Sequence, residues 1–166
     1  MKILYIGCFC EPSLMSFISE HKGQITVSTT TFQKAFLAGF ESCDLKPDYI
    51  VNVPDLGSFP LRCNTPFFRS SDFEYCSMPG KNCSFLNLTV LKRYSIYYSI
   101  KKAASKWMEA NKEEDKVIVV YSLIPSYLEA AIKLKKAYPK TKVCCIVLDL
   151  PEYFGDQTSL LYKLWG

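Results

Sequence analysis

The chain has 166 residues, 49% of them hydrophobic and 22% charged, and a formal net charge of +4. That is the size and balance of one globular domain able to bury a core, and its basic and acidic residues are interspersed, so no nucleic-acid partner is expected. No apolar run approaches the ~20 residues of a membrane span, and the opening MKILYIGCF lacks a small-residue cleavage site; the expectation is a cytosolic protein that begins with a core strand.

Taken in chain order, KILYIGCF is a continuous apolar run bounded by Gly7 and Pro12 and suits a strand buried on both faces of a parallel sheet. The next segment, EPSLMSFISEHKGQITVSTTT, has no sustained period and reads as a long connection, with QITVS a candidate short strand inside it. From Thr31 the residues Phe32, Ala35, Phe36, Gly39 and Phe40 recur at helical spacing behind Ser and Thr residues suited to capping, predicting a helix from Thr31 to Ser42. DYIVNV reads as the second strand. The stretch from Asp55 to Lys81, punctuated by Pro and Gly, reads as an irregular surface excursion.

SFLNL is the candidate third strand, followed by a helix from Thr89 to Asn111 whose polar face carries Ser95, Ser99, Lys102, Lys106 and Glu109. After the charged turn KEED, the β-branched run VIVVYS predicts a fourth strand. Pro125 then suits the first turn of a helix that Pro139 ends, and KVCCIVLDL, apolar up to Asp149, predicts a fifth strand. Strand, helix, strand, helix, strand over residues 82 to 149 implies an α/β fold: a Rossmann-like parallel sheet between helices.

Ligands of such sheets bind outside the carboxyl ends of the strands, which directs attention to Gly7–Cys10, Asn52–Asp55, Tyr121–Pro125 and Asp149–Tyr153. Neither a GxGxxG nor a GxxxxGK[ST] pattern occurs, which disfavours a stand-alone dehydrogenase or NTPase. Thr29, Thr30 and Thr31 suit either N-capping or a phosphate at a helix N-terminus. Asp149, closing an apolar strand, suits a general base, a group that orients a substrate hydroxyl, or a carboxylate capping its own loop. Ser122 lacks the GxSxG setting of a hydrolase nucleophile and suits sugar contact or helix capping. Eight cysteines without a CxxC pair, one histidine, and a lone CxC at Cys8 and Cys10 give no metal site, and no cofactor is expected. The helix bearing Tyr94, Tyr97, Tyr98 and Trp107 among lysines fits an anionic membrane surface, or else a core face backed by solvated lysines.

Three segments, STTTFQKAFLAGFES, VIVVYSLIPSYLEAAIKLKKAYPKTKV and CCIVLDLPEYFG, together resemble the N-terminal half of family 4 glycosyltransferases, especially bacterial enzymes of polysaccharide assembly. The resemblance implies one half of a GT-B fold, in which two Rossmann-like domains face each other across a cleft. The N-terminal domain mainly receives the acceptor and the C-terminal one holds the nucleotide sugar. It implies residues 1–166 as the acceptor-side domain, with the donor-binding domain absent from this chain and the isolated copy inactive. It sets Thr30, Thr31, Gln33, Ser122, Pro125, Glu152 and Tyr153 on the cleft wall as substrate-binding residues, beside Pro151 and with Asp149 as the catalytic candidate. The implied partners are a nucleotide-sugar donor, bound through the other domain, and a glycan or lipid-linked acceptor at the inner face of the cell membrane. The chain departs from many relatives in lacking a Gly-rich loop after the first strand and a His after the fourth. The competing readings are a stand-alone Rossmann-like binding module, a non-catalytic subunit of a split transferase, and a flavodoxin-like domain.

Overall fold

The computed structural model describes residues 1–23 and 25–148. Its elements are β1 (Lys2–Gly7), α1 (Leu14–Glu20), α2 (Val27–Ser42), β2 (Tyr49–Asn52), β3 (Phe67–Phe68), β4 (Ser71–Tyr75), β5 (Met78–Asn82), β6 (Phe85–Leu86), α3 (Thr89–Ala110), β7 (Lys116–Tyr121), α4 (Pro125–Ala137) and β8 (Lys142–Ile146). The main sheet has six strands in the order β4-β5-β2-β1-β7-β8. All neighbours are parallel except the β4–β5 hairpin. The chain is thus α/β with a mixed, mostly parallel sheet and four helices, an arrangement compatible with a Rossmann-like fold.

The apolar strands lie where their composition sends them. Leu4, Tyr5 and Ile6 of β1, Ile50 and Val51 of β2 and Ile118 and Val120 of β7 are fully buried, as the central strands of a sheet covered on both faces must be. The connection from β1 to β2 runs one way across the sheet, and those from β5 to β7 and β7 to β8 run the other. Right-handed crossovers therefore put α2 on one face and α3 with α4 on the opposite one. Helix α3 buries Ile96, Ile100, Ala104 and Met108, a four-residue repeat that makes one stripe, and packs against α4. Helix α4 begins with Pro125, whose missing N–H falls where a first turn has no partner to offer, and ends with Lys135 and Lys136 against the negative end of its dipole. Both features agree with the expectation for residues 125–139.

Several sequence expectations are corrected. The supposed connection after β1 contains α1, whose Leu14 and Ile18 are buried. Within QITVS, Val27 and Ser28 form the first turn of α2 rather than a strand. That helix therefore starts four residues before Thr31, and Thr29–Thr31 lie inside it and do not cap it. SFLNL yields only β6, which pairs antiparallel with β3 in a separate two-stranded sheet. The third parallel strand is instead β5, MPGKN, inside the stretch expected to be irregular. Gly80 is needed there because the Phe73 ring crosses it: a Cβ at that position would stand 2.5 Å from Phe73 Cζ. Of the predicted strand KVCCIVLDL, β8 takes only KVCCI, with Val147 and Leu148 outside it, and Val143 and Cys144 are exposed. Among the described residues, no helix is long and apolar enough to cross a membrane.

Candidate functional site

Strand order reverses between β1 and β7, the position at which open α/β sheets leave a crevice beyond their carboxyl ends. The loop Cys8–Glu11 leaves β1 on one side of that point, and Ser122–Ile124 leaves β7 on the other. Helix α2 reaches both sides: Phe32 lies 6.0 Å from the Tyr121 ring, and Gln33 and Thr30 meet the β1 loop.

The β1 loop is held by three side chains. Gln33 is completely buried; its Oε1 accepts from the Cys8 N–H at 3.0 Å and from the Tyr5 hydroxyl at 3.1 Å, while its Nε2 donates to the Cys8 carbonyl at 2.9 Å. Asn52, the last residue of β2, repeats the pattern one residue on: Oδ1 accepts from the Phe9 N–H at 2.9 Å, and Nδ2 donates to the Phe9 carbonyl at 2.8 Å. The Cys10 N–H donates to Thr30 Oγ1 at 3.2 Å. Three successive backbone amides are therefore paired with side-chain oxygens.

This clamp explains Gly7. A Cβ there would lie 2.4 Å from Gln33 Oε1 and 2.5 Å from Tyr5 Cε1, so only glycine lets the α2 amide sit against the end of β1.

A second run of buried polar groups extends toward the β5 side. Asn52 Nδ2 also donates to Asn82 Oδ1 at 2.8 Å, and Asn82 Nδ2 donates to Glu11 Oε1 and to Ser71 Oγ, each at 3.0 Å. Glu11, 3% exposed, also accepts from the Ser13 N–H at 2.7 Å and from the Ser13 hydroxyl at 2.5 Å. Its carboxylate is met by hydrogen-bond donors in place of a cation, which is how a buried acid is retained without an ion pair.

The thiols of the region are inert by environment. Burial pushes Cys8 up to about 12 and Cys83 up to about 11 from an ordinary 9.0. Burial also raises Tyr127, which shares a hydrogen bond with Cys8. Lys92 is shifted down by burial; its ammonium donates to the Leu56 carbonyl and stands 5.5 Å above the Phe85 ring. Among the described residues, no three His, Cys, Asp or Glu side chains are grouped to hold a metal ion.

Of the residues selected from sequence, Thr30 and Gln33 come together on the β1 loop, and Ser122 and Pro125 stand across the switch point from them. The amide of Gln33 is buried and bonded to Tyr5 and Cys8, so in this geometry it holds the loop in place. Thr31 is exposed on α2, beside Thr30 in sequence. Ser122 holds a left-handed φ of 68°, with its N–H donating to the Ile146 carbonyl at 2.9 Å, and turns the chain from β7 toward Pro125. Asp149, Pro151, Glu152 and Tyr153 lie outside the described residues. Sequence reasoning missed Glu11 and Asn82; the available signal was a polar residue closing or following each strand, weakened at β5 by Pro79 and Gly80.

Fold and site together define an α/β protein whose mostly parallel sheet carries a side-chain-clamped loop at its switch point. No family model, no curated protein and no solved structure matches the chain.

Proposed function

We propose that this chain is the acceptor-side, N-terminal domain of a GT-B glycosyltransferase, which moves a sugar from a nucleotide-sugar donor to a hydroxyl of a glycan or lipid-linked acceptor. The reading rests on the occupied loop after β1. Nucleotide-binding domains of this topology aim the backbone amides after the first strand at phosphate oxygens. Here the amides of Cys8, Phe9 and Cys10 are bonded to Gln33, Asn52 and Thr30. A loop closed in this way favours a domain that leaves the nucleotide to a partner domain and receives the acceptor itself.

The resemblance of three segments to family 4 enzymes supplies the chemistry. In this reading Thr30, Thr31, Ser122 and Pro125 shape the acceptor wall. Asp149 orients the acceptor hydroxyl or takes its proton as that oxygen attacks the donor sugar, and Glu152 and Tyr153 contact the acceptor. A lipid-linked acceptor would bring the domain to a membrane surface. In support, α3 turns Val90, Leu91, Tyr94 and Tyr98 outward, with Lys101 and Lys102 exposed on the same helix.

The test is a titration of the ¹⁵N-labelled chain with UDP, GDP and UDP-glucose. The amide signals of Cys8, Phe9 and Cys10 are expected to stay in place; saturable shifts of those three signals would reverse the assignment of acceptor side. In the enzyme joined to its donor domain, Asp149→Ala is expected to lower turnover, whereas unchanged kinetics in a folded variant would remove Asp149 from the site.

A further inference from the structure

Away from the switch point, α1 and the segment Thr65–Ser71 border an open recess of about 480 Å³, a volume within the range of small-ligand sites. It lies by the carboxyl edge of the sheet, because Ser71 pairs with Asn82, the last residue of β5, and α1 follows the β1 loop. Its walls are aromatic: Phe17 meets Phe68 edge to face at 5.4 Å. His21 stacks on Phe17 at 4.1 Å, and its Nδ1 lies 2.8 Å from the Phe17 carbonyl. Since a carbonyl can only accept, Nδ1 carries a hydrogen, and Nε2 has no hydrogen-bond partner among the described residues.

Arg69 lines the same recess and is exposed. The ion pairs among the described residues are Lys2–Asp48, Lys81–Asp72 and Arg93–Glu129, so its guanidinium has no carboxylate there. Ser71 Oγ accepts from Asn82, which leaves its own hydrogen to donate. The carboxylate of Glu11 stands behind Ser13 and is already met by three donors.

A guanidinium without a carboxylate among the described residues, a hydroxyl donor, an imidazole nitrogen and an aromatic ring around one recess describe a particular ligand. The exposed ring of Phe67, which lines the recess, suits the C–H face of a pyranose, the imidazole and the serine suit its hydroxyls, and the planar fork of Arg69 suits a carboxylate or phosphate. We propose that this recess binds a saccharide bearing a negative charge, held by Arg69 through its anionic group and by His21 and Ser71 through its hydroxyls. As a binding site it stands by itself; that the bound sugar belongs to the glycan being extended rests on the acceptor-side reading above.

Glucuronic acid, glucose 6-phosphate, glucose and inorganic phosphate are titrated into the whole chain, with binding read from amide shifts of residues 13–21 and 65–71. A charge-assisted bond predicts about tenfold tighter binding of at least one charged sugar than of glucose, and whichever charged sugar binds more tightly identifies the group, carboxylate or phosphate. Arg69→Gln is expected to reduce its affinity to that of glucose with the melting temperature unchanged, because the guanidinium makes no hydrogen bond or ion pair among the described residues. His21→Phe keeps the stack on Phe17 and is expected to weaken both charged and neutral sugars. The proposal is overturned if neither charged sugar exceeds glucose, if Arg69→Gln leaves the preference intact, or if phosphate alone binds as tightly as glucose 6-phosphate. Nucleotide-induced shifts at Cys8–Cys10, with charged-sugar binding retained, would overturn the transferase reading alone.

Discussion

Gln33 and Cys8, 25 positions apart, are joined as two strand residues would be: the Gln33 amide accepts from the Cys8 N–H at 3.0 Å and donates to the Cys8 carbonyl at 2.9 Å. A helix side chain thus continues the hydrogen bonding of β1 past its last ladder residue. Asn52 does the same for Phe9 from the other side. The backbone groups of the loop are satisfied by side chains fixed in α2 and β2, which anchor it at the switch point.

Replacing Gln33 by Leu keeps the volume but strands the Cys8 N–H, the Cys8 carbonyl and the Tyr5 hydroxyl in a buried setting. The expected loss is about 3–9 kcal/mol, since three buried groups lose their partner and each costs on the order of 1–3 kcal/mol. Urea unfolding measures it, and hydrogen exchange at the Cys8 amide should accelerate with it. A variant as stable as the parent, with that amide still protected, would show that the clamp contributes nothing.

The buried thiols make stability fall in alkali. An unfolded chain releases the Cys83 proton near 9.0 and the folded one near 11. Between those values the folded state holds more protons, so stability, complete below pH 9, declines as pH rises toward 11, with a slope of up to about 1.4 kcal/mol per pH unit from this group. Cys83→Ala should remove that part of the slope in urea midpoints taken from pH 8 to 11. An identical slope in the variant would refute the assignment. At neutral pH a thiol reagent should label the exposed Cys43, Cys76 and Cys144 first, leaving Cys8, Cys10, Cys63 and Cys83 until the chain unfolds.

Ser122 occupies a left-handed conformation that a side chain disfavours. Ser122→Gly should raise stability by about 0.5–1 kcal/mol, the steric relief exceeding the added freedom of the unfolded chain, and Ser122→Val should lower it by at least about 1 kcal/mol. Thermal melting of both variants checks the pair; the opposite order would mean that the turn is set by contacts of the hydroxyl rather than by backbone geometry.

Much of the architecture was legible because it is written locally. The largely apolar runs KILYIGCF, DYIVNV, VIVVYS and the first part of KVCCIVLDL became four of the parallel strands, and the long periodic segment after Leu88 and the Pro125 start became α3 and α4. A run of β-branched and aliphatic residues buries on both faces wherever it lands in a sheet, and a four-residue repeat makes one stripe on any helix. What the tertiary structure decided was the identity of β5 and the closure of the β1 loop. MPGKN has the composition of a turn; it becomes a strand because β2 and the β4 hairpin offer ladders on both sides and Phe73 covers the bare Gly80. Gln33 and Asn52 carry no local mark of their partners, which stand 25 and 43 positions away. Burial turns two ordinary amides into the clamp, because a polar group enclosed away from water must bond whatever the fold brings beside it.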